Sequence, residues 1–150
     1  MDRELEQLRQ VFQGSNVRVE KCGIGKVNAA LGAQRMINEF QPDCIISSGC
    51  AGGHGPGVQV KDVVVSTELA YHDVYCGAAV DNSTVYGQVQ GLPARFKTHP
   101  ELLEEALALR ATLLANGMNV NIHPGLIVTG DWFVDSQEKM RSIVAHFPEA

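Results

Sequence analysis

Glycine-rich turns, scattered histidines and a few carboxylates are the residues whose types and spacing could do chemistry. Gly49-Cys50-Ala51-Gly52-Gly53 follows an apolar run, and glycines there permit a tight turn whose backbone N–H groups reach a ligand oxygen. The same residues serve equally as a plain connection in an α/β protein. The turn lacks the Gly-Lys-Ser/Thr ending of a phosphate-binding P-loop, and Gly23-Ile24-Gly25 stops short of the GxGxxG pattern of a dinucleotide site. Cys50 is a possible nucleophile, but spacing sets none of His54, His72, His99, His123 and His146 against it. A small buried thiol lining the turn is expected instead of a cysteine hydrolase. Tyr71-His72-Asp73 offers acid–base or metal-binding groups. Neighbours on an extended chain point to opposite faces, and no further ligand stands at site spacing, so a loop or subunit contact is expected there and no metal. Asp131, beside Trp132 and Phe133, is the better pocket candidate, with an exposed turn acid and core aromatics as the plain alternative. Asp2 and Glu4 open the first helix, where the helix dipole favours acids whatever else they do.

The elements that must position these groups follow from periodicity. Leu5, Leu8, Val11 and Phe12 form one stripe of a helix over residues 1–12, ended by Gly14-Ser15-Asn16. Residues 17–22 alternate as a strand and run into Gly23-Ile24-Gly25. From Lys26 the period becomes helical, with Val27, Ala30, Leu31, Gln34 and Ile37 on one face and a stop at Pro42. Small Ala29, Ala30, Gly32 and Ala33 suit close packing on a sheet. Cys44-Ile45-Ile46 reads as a strand covered on both faces, and Val63-Val64-Val65 repeats the pattern. Residues 71–97 read as short strands and loops. A helix begins near Pro100 and buries Leu102, Leu103, Ala106, Leu109, Leu113 and Leu114 up to Asn116-Gly117. Residues 120–128 are strand-like apart from Pro124, Gly130-Asp131 closes the run, and Ser136 caps a last helix carrying Met140, Ile143 and Val144.

Strands separated by helices imply an α/β fold, a mostly parallel mixed sheet flanked by helices. Ligands bind such sheets at the carboxyl ends of strands, where Gly23-Gly25, Gly49-Gly53 and Gly130 are expected to converge. The 150 residues suffice for one domain, and 45% apolar with 19% charged residues is globular composition. A net charge of -5 without a basic cluster argues against nucleic acid or an anionic membrane as partner. No apolar run approaches transmembrane length, and the opening residues are too charged for a secretory signal. The 4 cysteines, Cys22, Cys44, Cys50 and Cys76, fit neither a zinc site nor a disulfide framework, so a reducing cytoplasmic setting is expected.

Five motifs stand in order: Lys21 to Ala30 (KCGIGKVNAA), Ser48 to Gly53 (SGCAGG), Asp62 to Ser66 (DVVVS), Tyr71-His72-Asp73, and Gly130 to Val134 (GDWFV). Together they resemble the bacterial 5'-methylthioadenosine/S-adenosylhomocysteine nucleosidases, within the purine nucleoside phosphorylase/uridine phosphorylase superfamily. The resemblance covers residues 1–150, about the first two-thirds of such a domain without its opening strand, and implies an incomplete three-layer α/β/α fold. It implies that Glu4 activates the attacking water. Met1 would line the ribose and alkylthio pocket and Ile24 would touch the 5'-substituent, with Cys50, Ala51 and Gly52 forming the turn beside the ribosyl-purine. Phe133 would stack on the purine, and Val134 would offer backbone hydrogen bonds to the base. Cys50 stands where the family usually has serine, and Trp132 where it commonly has a small residue.

The resemblance further implies a cytoplasmic homodimer acting on a small nucleoside without cofactor or metal. Phosphorylase relatives commonly hold phosphate with an arginine where neutral Ser47 stands, which makes water the expected nucleophile. The family's ribose-clamping segment and the aspartate that protonates the purine would follow Ala150, so a chain ending there is expected to be inactive. A relative acting on futalosine or another nucleoside, by hydrolysis or phosphorolysis, and an inactive nucleoside-binding paralogue are the alternatives.

Overall fold

The computed structural model describes residues 2–55, 57–75 and 85–150, with side chains from Leu5 onward in the first helix. The expected strand and loop content of residues 76–84, including Cys76, lies outside the described residues. The chain divides into two compact units, Met1–Ala51 and Gly52–Ala150.

The first unit holds helices α1 (Asp2–Val11) and α2 (Lys26–Phe40). Gly25 precedes α2 at φ 89°, and Asn28 Nδ2 donates to Ile24 O at 2.6 Å, closing the turn from which the helix starts. Gln41, in the left-handed conformation, ends α2 immediately before Pro42. Among the described residues, the two runs expected as strands, 17–22 and 44–46, belong to no ladder. An extended run becomes a strand only when a second one takes its backbone hydrogen bonds. Here charged contacts substitute in part: Arg18 reaches Glu20 at 3.0 Å and Glu39 at 3.1 Å, and Arg9 Nε donates to Val19 O at 3.3 Å. A Cβ on Gly32 would fall 2.7 Å from Cys22 Cβ, so the small residues of α2 do allow close approach, but to an extended segment. The apolar stripes stay open. Val27, Leu31, Ile45 and Ile46 are all exposed, contrary to the covered strand and helix face expected of them.

The second unit holds the mixed sheet, ordered β2-β1-β3. β1 (Val63–Tyr71) pairs parallel with β3 (Ile122–Thr129) and antiparallel with short β2 (Phe96–Lys97). Between the parallel strands the chain passes through α3 (Pro100–Ala115), which packs against both. Pro124 sits inside β3 without breaking it: among the described residues β3 is an edge strand, with ladder partners on the β1 side only. Of the α3 stripe, Leu102, Leu103, Ala106 and Leu113 are half-buried, whereas Leu109 and Leu114 are exposed.

Register shifts once along β1. Ser66 lies opposite Gly125 and Glu68 opposite Leu126, leaving Thr67 as the extra residue of a bulge. Thr67 O instead accepts Thr98 N at 3.1 Å, and the Ser66 and Thr98 hydroxyls meet at 2.8 Å. Beyond the bulge, Ala70 and Leu126 form the core with Ile143 and Phe147, backed by Tyr86 and Val128. Ile143 comes from α4 (Gln137–Val144), capped by Ser136, whose Oγ accepts Lys139 N as expected of that sequence. Arg95 pairs with Glu68 and Glu149, and its guanidinium holds the Glu149 carboxyl below the usual range.

Candidate active site

The exits of β1 and β3 build the site. Past its last paired residue, β1 continues into His72 and Asp73, and β3 into Gly130 and Asp131. His72 N donates to Thr129 O at 3.0 Å, and Asp131 N donates to Asp73 Oδ2 at 2.7 Å. The two exits therefore stay joined after the ladder ends. His72 is buried at 4% exposure, with its ring edge-on to Trp132 at 5.3 Å and its carbonyl accepting the Tyr86 hydroxyl at 3.2 Å. Tyr71-His72-Asp73 thus organises the neighbouring strand exit. Gly130 is required by space: a Cβ there would lie 2.6 Å from the His72 ring and 2.7 Å from Asp73 Cγ.

From this base, residues 132–136 cross to α4. Phe133 is 83% exposed and Val134 37%, so the pair faces outward and neither is a core residue. A tight turn sets them, in which Asp135 N donates to Phe133 O at 3.1 Å. Lys139 Nζ donates to the same carbonyl at 3.0 Å and to Asp135 Oδ1 at 2.8 Å. That ammonium holds the Asp135 carboxyl below the usual range. Gly52 approaches the same helix, since a Cβ there would lie 3.6 Å from Met140 Cε. Adjacent α4 residues thereby meet Gly52 and the Phe133 turn. Asp62, Asp135 and Glu149 are all displaced downward in pKa, each kept ionised by hydrogen-bond donors.

The remaining sequence-designated residues lie in the first unit. Ile24 is 80% exposed and belongs, with Cys50 and Ala51, to the first unit. Cys50 is exposed, which corrects the expected buried thiol: the run 44–46 leading into its turn forms no strand among the described residues, so no sheet packs over the turn. The expected convergence of three strand exits reduces to Gly130, because the runs before Gly23 and Gly49 are not strands. Glu4 lies on α1, while its side chain and Met1 lie outside the described residues. Lys139 was not anticipated from sequence. Its one signal is an Asp135–Lys139 spacing of four residues across a helix start, common on solvated faces.

The arrangement can hold a flat apolar ring. Exposed Phe133 supplies an aromatic face, and the backbone of Val134 beside it can supply edge hydrogen bonds. Among the described residues no three histidine, cysteine or acidic side chains gather as a metal site, and no helix is long and apolar enough to cross a membrane.

Comparison with known proteins identifies the family. The profile of the Phosphorylase superfamily matches residues 5–149. The 5'-methylthioadenosine/S-adenosylhomocysteine nucleosidase of Exiguobacterium sp. is 42% identical over 131 residues, 87% of this chain and 53% of the relative. That of Anoxybacillus flavithermus is 38% identical over 138 residues, 92% of this chain and 56% of the relative. The chain thus spans little more than half the length of the curated relatives it matches. Among solved structures, the 5'-methylthioadenosine/S-adenosylhomocysteine nucleosidase of Neisseria meningitidis, bound to methylthio-immucillin-A, is similar with a TM-score of 0.79 and 37% identity. That match covers 100% of this chain and 70% of the other.

Proposed function

The chain belongs to the phosphorylase superfamily and, within it, to the family of the 5'-methylthioadenosine/S-adenosylhomocysteine nucleosidases, and on that basis we propose a purine nucleosidase activity. The reaction is hydrolysis of the N-glycosidic bond of 5'-methylthioadenosine and S-adenosylhomocysteine, releasing adenine and the 5-thioribose product. The observation that carries this reading is the outward-facing Phe133 and Val134 at the exit of β3, in a sequence 42% identical to such an enzyme.

Cleavage of the bond builds positive charge on the ribose and negative charge on the departing purine. Glu4, as a carboxylate, would stabilise the first and take a proton from the attacking water. Phe133 would stack on the base and exclude water, and the backbone of Val134 would hold the base edge. Met1 would line the ribose and alkylthio side and Ile24 would touch the 5'-substituent, with Cys50, Ala51 and Gly52 beside the ribosyl-purine. Neutral Ser47 favours water over phosphate as nucleophile. The working protein would be a cytoplasmic homodimer, with residues 1–150 forming part of each nucleosidase domain.

Adenine release from 5'-methylthioadenosine in phosphate-free buffer, measured on the full-length protein, tests the reading. Release without phosphate is expected. Release that requires phosphate and yields a phosphorylated sugar would make the protein a phosphorylase, and no release in either buffer would remove the assignment.

A further inference from the structure

Lys139 sits where a cation is unfavourable for the fold. It is the third residue after the Ser136 cap, in the first turn of α4, where the helix dipole disfavours positive charge. Its ammonium nevertheless turns back to Phe133 O at 3.0 Å, with Asp135 Oδ1 at 2.8 Å as its counter-charge. The Phe133 carbonyl and the Val134 N–H belong to one planar peptide, and in a trans peptide they point in opposite directions. Whatever fixes the carbonyl therefore aims the N–H.

We propose that Lys139 is a positioning residue for base recognition: by holding the Phe133 carbonyl it directs the Val134 N–H, away from α4, at an acceptor nitrogen of the purine. The inference rests on the nucleosidase reading and deepens it by naming what orients the base-binding peptide. A second effect has the same sign. An ammonium donating to the carbonyl draws electron density from the peptide and makes its N–H a stronger donor. Asp135 completes the device, because its carboxylate and its own N–H hold the two ends of the turn against the same lysine and the same carbonyl.

The test compares wild type, Lys139→Met and Lys139→Arg in the full-length protein, titrated calorimetrically with adenine and, separately, with 5-methylthioribose. Lys139→Met is expected to weaken adenine about tenfold, the loss of one charge-assisted bond at a partly exposed site, while leaving the affinity for the sugar unchanged. Lys139→Arg, which keeps a cationic donor, is expected to restore adenine binding to within about threefold of wild type. Adenine affinity unchanged in Lys139→Met, equal losses for both ligands, or no recovery with arginine would each overturn the positioning role. Wild-type protein that binds neither ligand would overturn the nucleosidase reading and this inference with it, whereas wild type binding both ligands and an indifferent Lys139→Met would defeat the inference alone.

Discussion

The Asp73 carboxylate accepts the Asp131 backbone N–H at 2.7 Å, and this bond continues the pairing of two parallel strands beyond their last ladder position. The residues that follow Asp131 carry the candidate base-binding face. The rigidity of that face is therefore inherited from a carboxylate on the neighbouring strand exit and from the packed His72 ring beneath it.

Gly130→Ala tests how tightly that junction is packed. The added methyl would meet the His72 ring and Asp73 together, and the His72 ring, buried against Trp132, has little room to retreat. A loss of about 1–3 kcal/mol of stability is expected, in the range of overpacked cores, read from the denaturant midpoint. An unmoved midpoint would show that the strand exits separate easily.

Gly87 and Gly91 form a matched pair for separating backbone strain from crowding. Both have positive φ, 82° and 81°, but a Cβ on Gly87 would lie 2.2 Å from Tyr71 O, while one on Gly91 meets nothing within 4 Å. Gly91→Ala should cost roughly 1 kcal/mol from conformation alone. Gly87→Ala should cost roughly 3 kcal/mol or more, since the carbonyl it strikes belongs to β1. Equal costs would mean that the 85–92 loop does not rest on the strand as described.

Asp62 links the opposite end of the sheet to pH. Its carboxylate accepts Gln59 N at 2.9 Å, His123 Nε2 lies 2.9 Å away and Asn121 Nδ2 donates to it at 3.1 Å. These donors, the Gln59 backbone first, hold its carboxyl below its ordinary value of 3.8. A group whose pKa falls on folding stabilises the fold fully above its unfolded value, and that contribution is lost as pH drops through the folded value. Thermal midpoints should therefore fall on acidification below about pH 4, with Asp135 and Glu149 acting in the same direction. Asp62→Asn should lower the midpoint at neutral pH and flatten its acid limb; parallel curves for the two proteins would exclude Asp62 as a contributor.

Glu4→Gln in the full-length protein separates chemistry from binding. Loss of a general base is expected to lower turnover by about 10²–10⁴-fold with little change in nucleoside affinity. Equal losses in both would remove Glu4 from the proton-transfer step.

Helices were legible because their signals are local. The period from Lys26, Pro100 at a helix start and Ser136 as a cap each act within one or two turns, and α2, α3 and α4 begin where those residues place them. The apolar runs 63–65 and 120–128 correspond to β1 and β3, and Gly130 does close β3. Residues 17–22 and 44–46 carry equally strand-like sequence without becoming strands, because a strand is a property of two segments and the pattern describes one. The same dependence exposes Ile46 and Cys50, whose expected burial presupposed a covering layer. Phe133 and Val134 were legible through resemblance, whereas Lys139 was hidden because its principal partner is a main-chain carbonyl, which leaves no mark on side-chain spacing.

Thr67 gives β1 two phases. Side chains on a strand alternate with a period of two, so the single unpaired residue reverses parity between the entrance of the strand and its exit. Deleting Thr67 would bring Glu68 directly after Ser66, still opposite Leu126, so the ladder would become regular while Ala70 stayed on the core side. The bulge is thus where β1 absorbs a one-residue surplus, and the exit that leads into His72 and Asp73 keeps its register against β3 because the surplus is spent before it.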